Sequence, residues 1–164
     1  MFLGFVVLLV LAVAWKLLYT GEVRAVQVIS GSMEPTIRTG ERLIIGEVAG
    51  HVPTRGELVV IEAPDDGGAD LVKRVVGIPG DMVELRQGIF LLNGIPSPPP
   101  GGAPNWHPGE KDFIRTLGPD EYFVLGDNRM KSHDSTEFGP VNAKSIRAQV
   151  LYRYSPWVRR GQVE

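Results

Sequence analysis

From residue 23 onward, short apolar runs that never lengthen into a helical period constrain this chain more than any other feature. VRAVQVI (23–29), RLIIG (42–46), ELVVIEA (57–63), DLVKRVVG (70–77), DMVELR (81–86), GIFLLN (88–93), EYFVLG (121–126) and IRAQVLYRY (146–154) are rich in β-branched and aromatic residues and are punctuated by Gly, Pro, Asn or Asp. Runs of this length and punctuation read as strands. Gln87-Gly88 falls between two of them as a hairpin turn, and Pro79-Gly80 and Asn93-Gly94 punctuate others. A mostly β chain is expected, with short antiparallel strands in a closed or folded-over sheet. Residues 94–110, GIPSPPPGGAPNWHPGE, hold too much Pro and Gly for a strand or helix and read as a long exposed loop. There is no internal repeat.

Ahead of the strands lies FLGFVVLLVLAVAWKLL, residues 2–18. A cleaved secretory leader would need a basic start, and no basic residue lies between Met1 and Trp15. The run sits at the lower limit of the roughly 17–25 apolar residues that span a bilayer, with Trp15 and Tyr19 placed as an interfacial belt. An uncleaved anchor over 1–20 is expected, with the lipid bilayer as a partner. Lys16 and Arg24 flank its C-terminal end, which the positive-inside rule alone would keep cytoplasmic.

The 164 residues leave room for one domain, 21–164, behind that anchor. A net charge of −2 without a Lys/Arg block gives no footprint for nucleic acid. The absence of cysteine excludes disulfides, thiolate nucleophiles and cysteine-ligated zinc. His51, His107 and His133 lie far apart with no close-spaced ligand pair, so neither a metal nor another cofactor is expected.

Three segments carry candidate chemistry. In SGSMEPT, Gly31 and Pro35 shape a tight turn that could present Ser32, with the Ser30 hydroxyl two positions away on the same side of an extended backbone. Turn serines also commonly bond only to nearby backbone. In LVKRVVGIPGD, strand alternation puts Lys73 on a face with Leu71 and Val75 and sends Arg74 the other way. Burial there would lower the lysine pKa and free a neutral amine as general base, whereas a lysine on an edge strand would keep its head in water. The third segment, VLGDNRMKSHDSTEFGPV, packs Asp127, Asn128, Arg129, Ser132, Asp134 and Ser135 into a short polar loop. It lacks the D-x-[DN]-x-[DN]-G spacing of a calcium loop.

Together, SGSMEPT, KRVVGIPGD and GDNRMKSHDSTEFGPV behind an N-terminal anchor resemble the type I signal peptidases, the membrane-bound Ser-Lys proteases of peptidase family S26. The resemblance covers nearly the whole chain. It implies a signal-peptidase-like folded sheet or barrel, Ser32 as nucleophile and Lys73 as its base. Ser30 and the Ser32 backbone N–H would form the oxyanion hole, and Ser132 would orient the lysine. Arg74 and Asp127 would form a structural ion pair, with Asp134 a further support. Val26, Val28, Met33 and Val72 would contact the substrate, a signal-peptide-bearing preprotein cut after an Ala-x-Ala-like site on the extracytoplasmic side of the cell membrane. The resemblance thus implies the orientation opposite to that read from Lys16 and Arg24. A specialised maturation peptidase of the same superfamily, or an inactive membrane-tethered module that binds peptides by strand addition, are the alternatives.

Two departures stand out. Where the family usually has Asp-Ser-Arg, this chain reads Asp134-Ser135-Thr136, leaving Asp134 to be satisfied by Arg129 or a backbone amide. Between the lysine and GDNR motifs there is room only for a reduced second subdomain, 81–120, which includes the loop 94–110.

Overall fold

A computed structural model describes residues 6–8, 10–12, 23–47, 50–64, 67–98 and 111–163. Residues 6–8 and 10–12 are helical, and no helix among the described residues is long and apolar enough to cross a membrane. Most of the expected anchor, including Trp15 and Tyr19, lies outside the described residues.

The rest is mostly β. Eleven strands follow in order: β1 (Val23–Gln27), β2 (Arg42–Glu47), β3 (Leu58–Glu62), β4 (Asp70–Gly77), β5 (Met82–Arg86), β6 (Ile89–Leu92), β7 (Ile95–Pro96), β8 (Phe113–Thr116), β9 (Glu121–Leu125), β10 (Val141–Asn142) and β11 (Ile146–Ser155). Seven form one sheet in the order β1-β2-β11-β3-β4-β9-β10, and four form a second in the order β7-β6-β5-β8. Every pairing is antiparallel. Register shifts interrupt β11 against both its neighbours and β4 against β9, and bulges of this kind bend and twist a strand.

The expectation that 94–110 holds no strand is corrected at its start. Asn93 and Gly94 take φ of 53° and 79°, a turn that folds Ile95–Pro96 back onto Leu91 and Leu92. The proline is tolerated because β7 is an edge strand among the described residues, with no described neighbour on its far side to need the missing N–H. Gln87 and Gly88, with φ of 49° and 76°, make the β5–β6 hairpin turn.

The large sheet is covered on both faces, which explains why β3 reads as a continuous apolar run. Leu58 and Val60 pack with Leu43, Ile45, Met33, Ile37, Ala148 and Val150 on one side. Val59 and Ile61 pack with Val75, Tyr122, Val124, Val141 and Ile146 on the other. The small sheet joins the large one through Phe123 and Leu125 of β9, which pack with Val83, Leu85, Phe90 and Leu117. The Phe123 ring lies 5.9 Å from Phe90 and 5.7 Å from Phe113. Gly77 permits this junction, because a Cβ there would come within 2.8 Å of Leu117 and 2.9 Å of Val83. A polar tie completes it. Asp81 accepts from Arg55, the Ile78 amide and Asn93, and these donors hold its carboxyl down to about 2 against its desolvation by burial.

Candidate active site

Between β1 and β2 the chain makes a turn whose base is closed by Val28 N–H to Glu41 O at 2.9 Å and Gly40 N–H to Val28 O at 2.8 Å. Met33 and Ile37, 1% and 0% exposed, point from this turn into the core, and Ile37 N–H donates to Met33 O. With its neighbour facing inward, Ser32 is left at the rim of a cleft of about 370 Å³. Val26, Val28, Ser30, Met33 and Val72 are among the other residues lining it. The Ser30 and Ser32 hydroxyl oxygens are 3.4 Å apart.

The turn is fixed from two directions. Asn128 donates its backbone N–H to Ser32 O at 3.0 Å and its side-chain amide to Gly31 O at 3.1 Å. From the C-terminal end, Arg153 and Arg159 each donate to Thr36 O at 2.8 Å, and both contact the buried Glu41 carboxylate. The seven-stranded sheet thus carries the serine turn at one end while residues more than 90 positions downstream aim it.

Lys73 and Arg74 are consecutive on β4 and both are buried, 1% and 6% exposed. Alternation separates them. Arg74 donates Nε and Nη2 to the two Asp127 carboxylate oxygens at 2.9 and 2.8 Å, and Nη1 to Gly56 O at 2.6 Å. This is a fork-to-fork pair with a third donor on a backbone carbonyl, a geometry suited to a buried ion pair. Lys73, opposite Val59 of β3 and between Leu71 and Val75, donates Nζ to Ser132 Oγ at 3.1 Å. Burial pushes its pKa below the ordinary lysine range, while the Asp134 and Glu137 carboxylates pull it back up.

Ser132 in turn donates its hydroxyl to Asp134 Oδ2 at 2.6 Å. The same oxygen accepts Gly126 N–H at 2.9 Å, while Oδ1 accepts Thr136 N–H at 3.2 Å and Thr136 Oγ1 at 2.8 Å. Asp134 is the N-cap of the single helical turn Ser135–Phe138. Backbone amides and a threonine hydroxyl therefore stand on Asp134 where the resemblance leads one to look for arginine. Gly126 lets the strand end pass between the two serines, since a Cβ there would lie 2.5 Å from both Ser132 Cβ and Ser32 O.

Three groupings result. Val26, Val28, Ser30, Ser32, Met33 and Val72 share the cleft; Lys73, Ser132 and Asp134 form one hydrogen-bonded chain; Arg74 and Asp127 pair on the other face of β4. The sequence names Asn128 and Thr136 without giving either a role, and nothing in it singles out Gly126 or Glu41. For Thr136 a signal existed, because Asp134-Ser-Thr-Glu137 has the spacing of a helix N-terminus. Among the described residues no group of three or more His, Asp or Glu could hold a metal ion. A hydroxyl in a cleft, a desolvated amine and donors around it are the parts of acyl-transfer chemistry.

Comparison with known proteins gives the family. The family model described as signal peptidase, peptidase S26, matches residues 2–157. A probable signal peptidase I-2 of Synechocystis is 35% identical over 80% of this chain and 63% of its own length. A signal peptidase I of Leptolyngbya laminosa is 35% identical over 82% of this chain and 70% of its own. Signal peptidase IB of Staphylococcus aureus is 33% identical over 77% of this chain and 74% of its own. Among solved structures, a signal peptidase I of Enterococcus faecalis aligns over 58% of this chain and 93% of its own, at 29% identity and a TM-score of 0.48. With the family model spanning nearly its whole length, the chain belongs to the signal peptidases of peptidase family S26.

Proposed function

We propose that this chain is a signal peptidase I, a serine endopeptidase that removes signal peptides from exported preproteins after Ala-x-Ala-like sites. In this reading residues 1–20 anchor it to the cell membrane in a single pass. The β domain 21–164 faces the extracytoplasmic side, with 81–120 as a reduced second subdomain. Neutral Lys73 takes the Ser32 proton as Ser32 Oγ attacks the scissile carbonyl. Ser30 Oγ and the Ser32 N–H receive the oxyanion, the leaving amine is protonated by the lysine, and the lysine then activates the deacylating water. The observation that carries the reading is Lys73 itself, a fully buried amine whose neighbour along the strand has the carboxylate while it has a hydroxyl. A buried cation costs several kcal/mol, so this environment favours the neutral base.

The cleft supports the substrate class. It is lined by valines and lies beside β1, which pairs only with β2 among the described residues and so leaves an edge free for an added strand. Small residues suit shallow apolar pockets at Val26, Val28, Met33 and Val72. The test is incubation of the detergent-solubilised chain with a small panel of precursors, followed by mass spectrometry of the new N-termini. New N-termini directly after Ala-x-Ala are expected, and they are lost in Ser32→Ala. Cleavage that persists in Ser32→Ala would overturn the dyad, and cuts scattered elsewhere would overturn the substrate class.

A further inference from the structure

The Asp134 carboxylate has a division of labour between its two oxygens. Oδ1 is taken by Thr136, which donates both its backbone N–H and its hydroxyl. Oδ2 is left to Gly126 N–H and to Ser132 Oγ, the hydroxyl that accepts from Lys73 Nζ. All four donors are neutral. We propose that Thr136 is a positioning residue of the reaction, fixing the Asp134 carboxylate through neutral donors so that its second oxygen and its undiminished negative charge act on Ser132 and Lys73. This inference rests on the Ser32–Lys73 reading and deepens it.

Geometry first supports the positional half. A carboxylate held on one oxygen by two donors from a single residue cannot rotate about its own axis without losing both, so the Oδ2 direction is set. Ser132 Oγ has one hydrogen to give. By giving it to Oδ2, it must present a lone pair to Lys73, which keeps the amine aimed without supplying a charge. The electrostatic half follows from what surrounds the lysine. Asp134 and Glu137 both favour its charged form, with His133 in contact with Glu137 at 3.1 Å. β3 faces it with Val59, Arg74 points to the opposite face, and the serine turn offers hydroxyls. A cationic partner on Oδ1 would cancel much of the pull of Asp134, and Thr136 does not.

Thr136 also lines a groove of about 390 Å³ with Phe113, Arg115 and Glu137, which gives a longer side chain room. Three variants therefore separate the effects. Thr136→Val keeps the shape and the backbone donor but removes the hydroxyl; kcat should fall roughly tenfold with KM unchanged, since one hydrogen bond to a charged group is lost from the aiming chain. Thr136→Ser should restore kcat. Thr136→Arg should move the acidic limb of kcat/KM to lower pH, because weakening the pull of Asp134 lowers the Lys73 pKa. His133 and Glu137 are unchanged in all three and contribute equally.

The experiment is the pH titration of the Lys73 13Cε resonance in the full-length lysine-labelled protein, assigned by its loss in Lys73→Met, beside kcat and KM on a precursor. A lower Lys73 midpoint in Thr136→Arg than in wild type, with Thr136→Val defective and Thr136→Ser restored, supports the inference. An unmoved or raised midpoint in Thr136→Arg, or wild-type kcat in Thr136→Val, overturns it. The resonance reports on the inference whether or not any precursor is cut, whereas failure of the wild type to cut precursors overturns the peptidase reading alone.

Discussion

The two faces of β4 hold adjacent basic residues with opposite electrostatic surroundings. On one face Arg74 is locked to Asp127 by two hydrogen bonds, and the pair is 8% and 0% exposed by side chain. On the other, Lys73 is as deeply buried but among the described residues meets only the Ser132 hydroxyl directly, with the Asp134 charge one hydrogen bond further away. The difference teaches what makes a buried cation structural and what would suit a buried amine to the role proposed for Lys73. A direct carboxylate fixes the charge and ties the polar loop to the sheet; a hydroxyl leaves the amine positioned but free to lose its proton.

The largest expected effect comes from the face that holds the proposed base. Lys73→Met should lower kcat/KM on a precursor by several orders of magnitude, as loss of a general base that activates the nucleophile does, while circular dichroism and Tm stay near wild type. The contrast breaks if activity survives. On the structural face the readout is reversed. Arg74→Met strands the Asp127 charge in the interior and should cost about 3–5 kcal/mol in urea unfolding. Arg74→Met combined with Asp127→Leu should recover most of that loss, whereas a double variant as unstable as the single one would show that the pair does more than neutralise itself.

Two smaller effects sharpen the comparison. Asp134→Asn removes the charge that holds the Lys73 pKa up, so the acidic limb of kcat/KM should shift to lower pH even as kcat falls; a shift upward would contradict the assigned sign. Away from the site, Arg55→Ala should cost only about 1 kcal/mol because the arginine is nearly half exposed. Asp81 is held at about 2 against its usual 3.8, so its contribution to stability is complete above pH 3.8 and fades as the pH falls toward 2. In Arg55→Ala that fading should be smaller and end at a higher pH, and an unchanged acid-unfolding curve would remove Arg55 from the junction.

What could be read in the sequence follows from range. The eight runs located eight strands, and period-two alternation put Lys73 with Leu71 and Val75, because both signals are local. β8, FIRT, has little alternation of its own, and it forms through its pairing with β5. β7 was hidden by its proline, which only an edge position allows. At the site, types and motifs were legible while partners were not. Asn128 holds Gly31 across 97 residues, and Arg153 reaches Thr36 across 117. The Thr136 bonds to Asp134 are local, but the usual arginine of the resemblance drew attention to a missing charge and away from the hydroxyl standing in that place.

The central claim is that Lys73 is neutral at working pH because it is buried against a hydroxyl, and the pH profile of kcat/KM on a signal-peptide substrate tests it most directly. The rate should rise with pH through an apparent pKa well below the roughly 10.4 of a free lysine. A rate that is flat across that range, or that rises only near the free-lysine value, would contradict the assignment of Lys73 as the base.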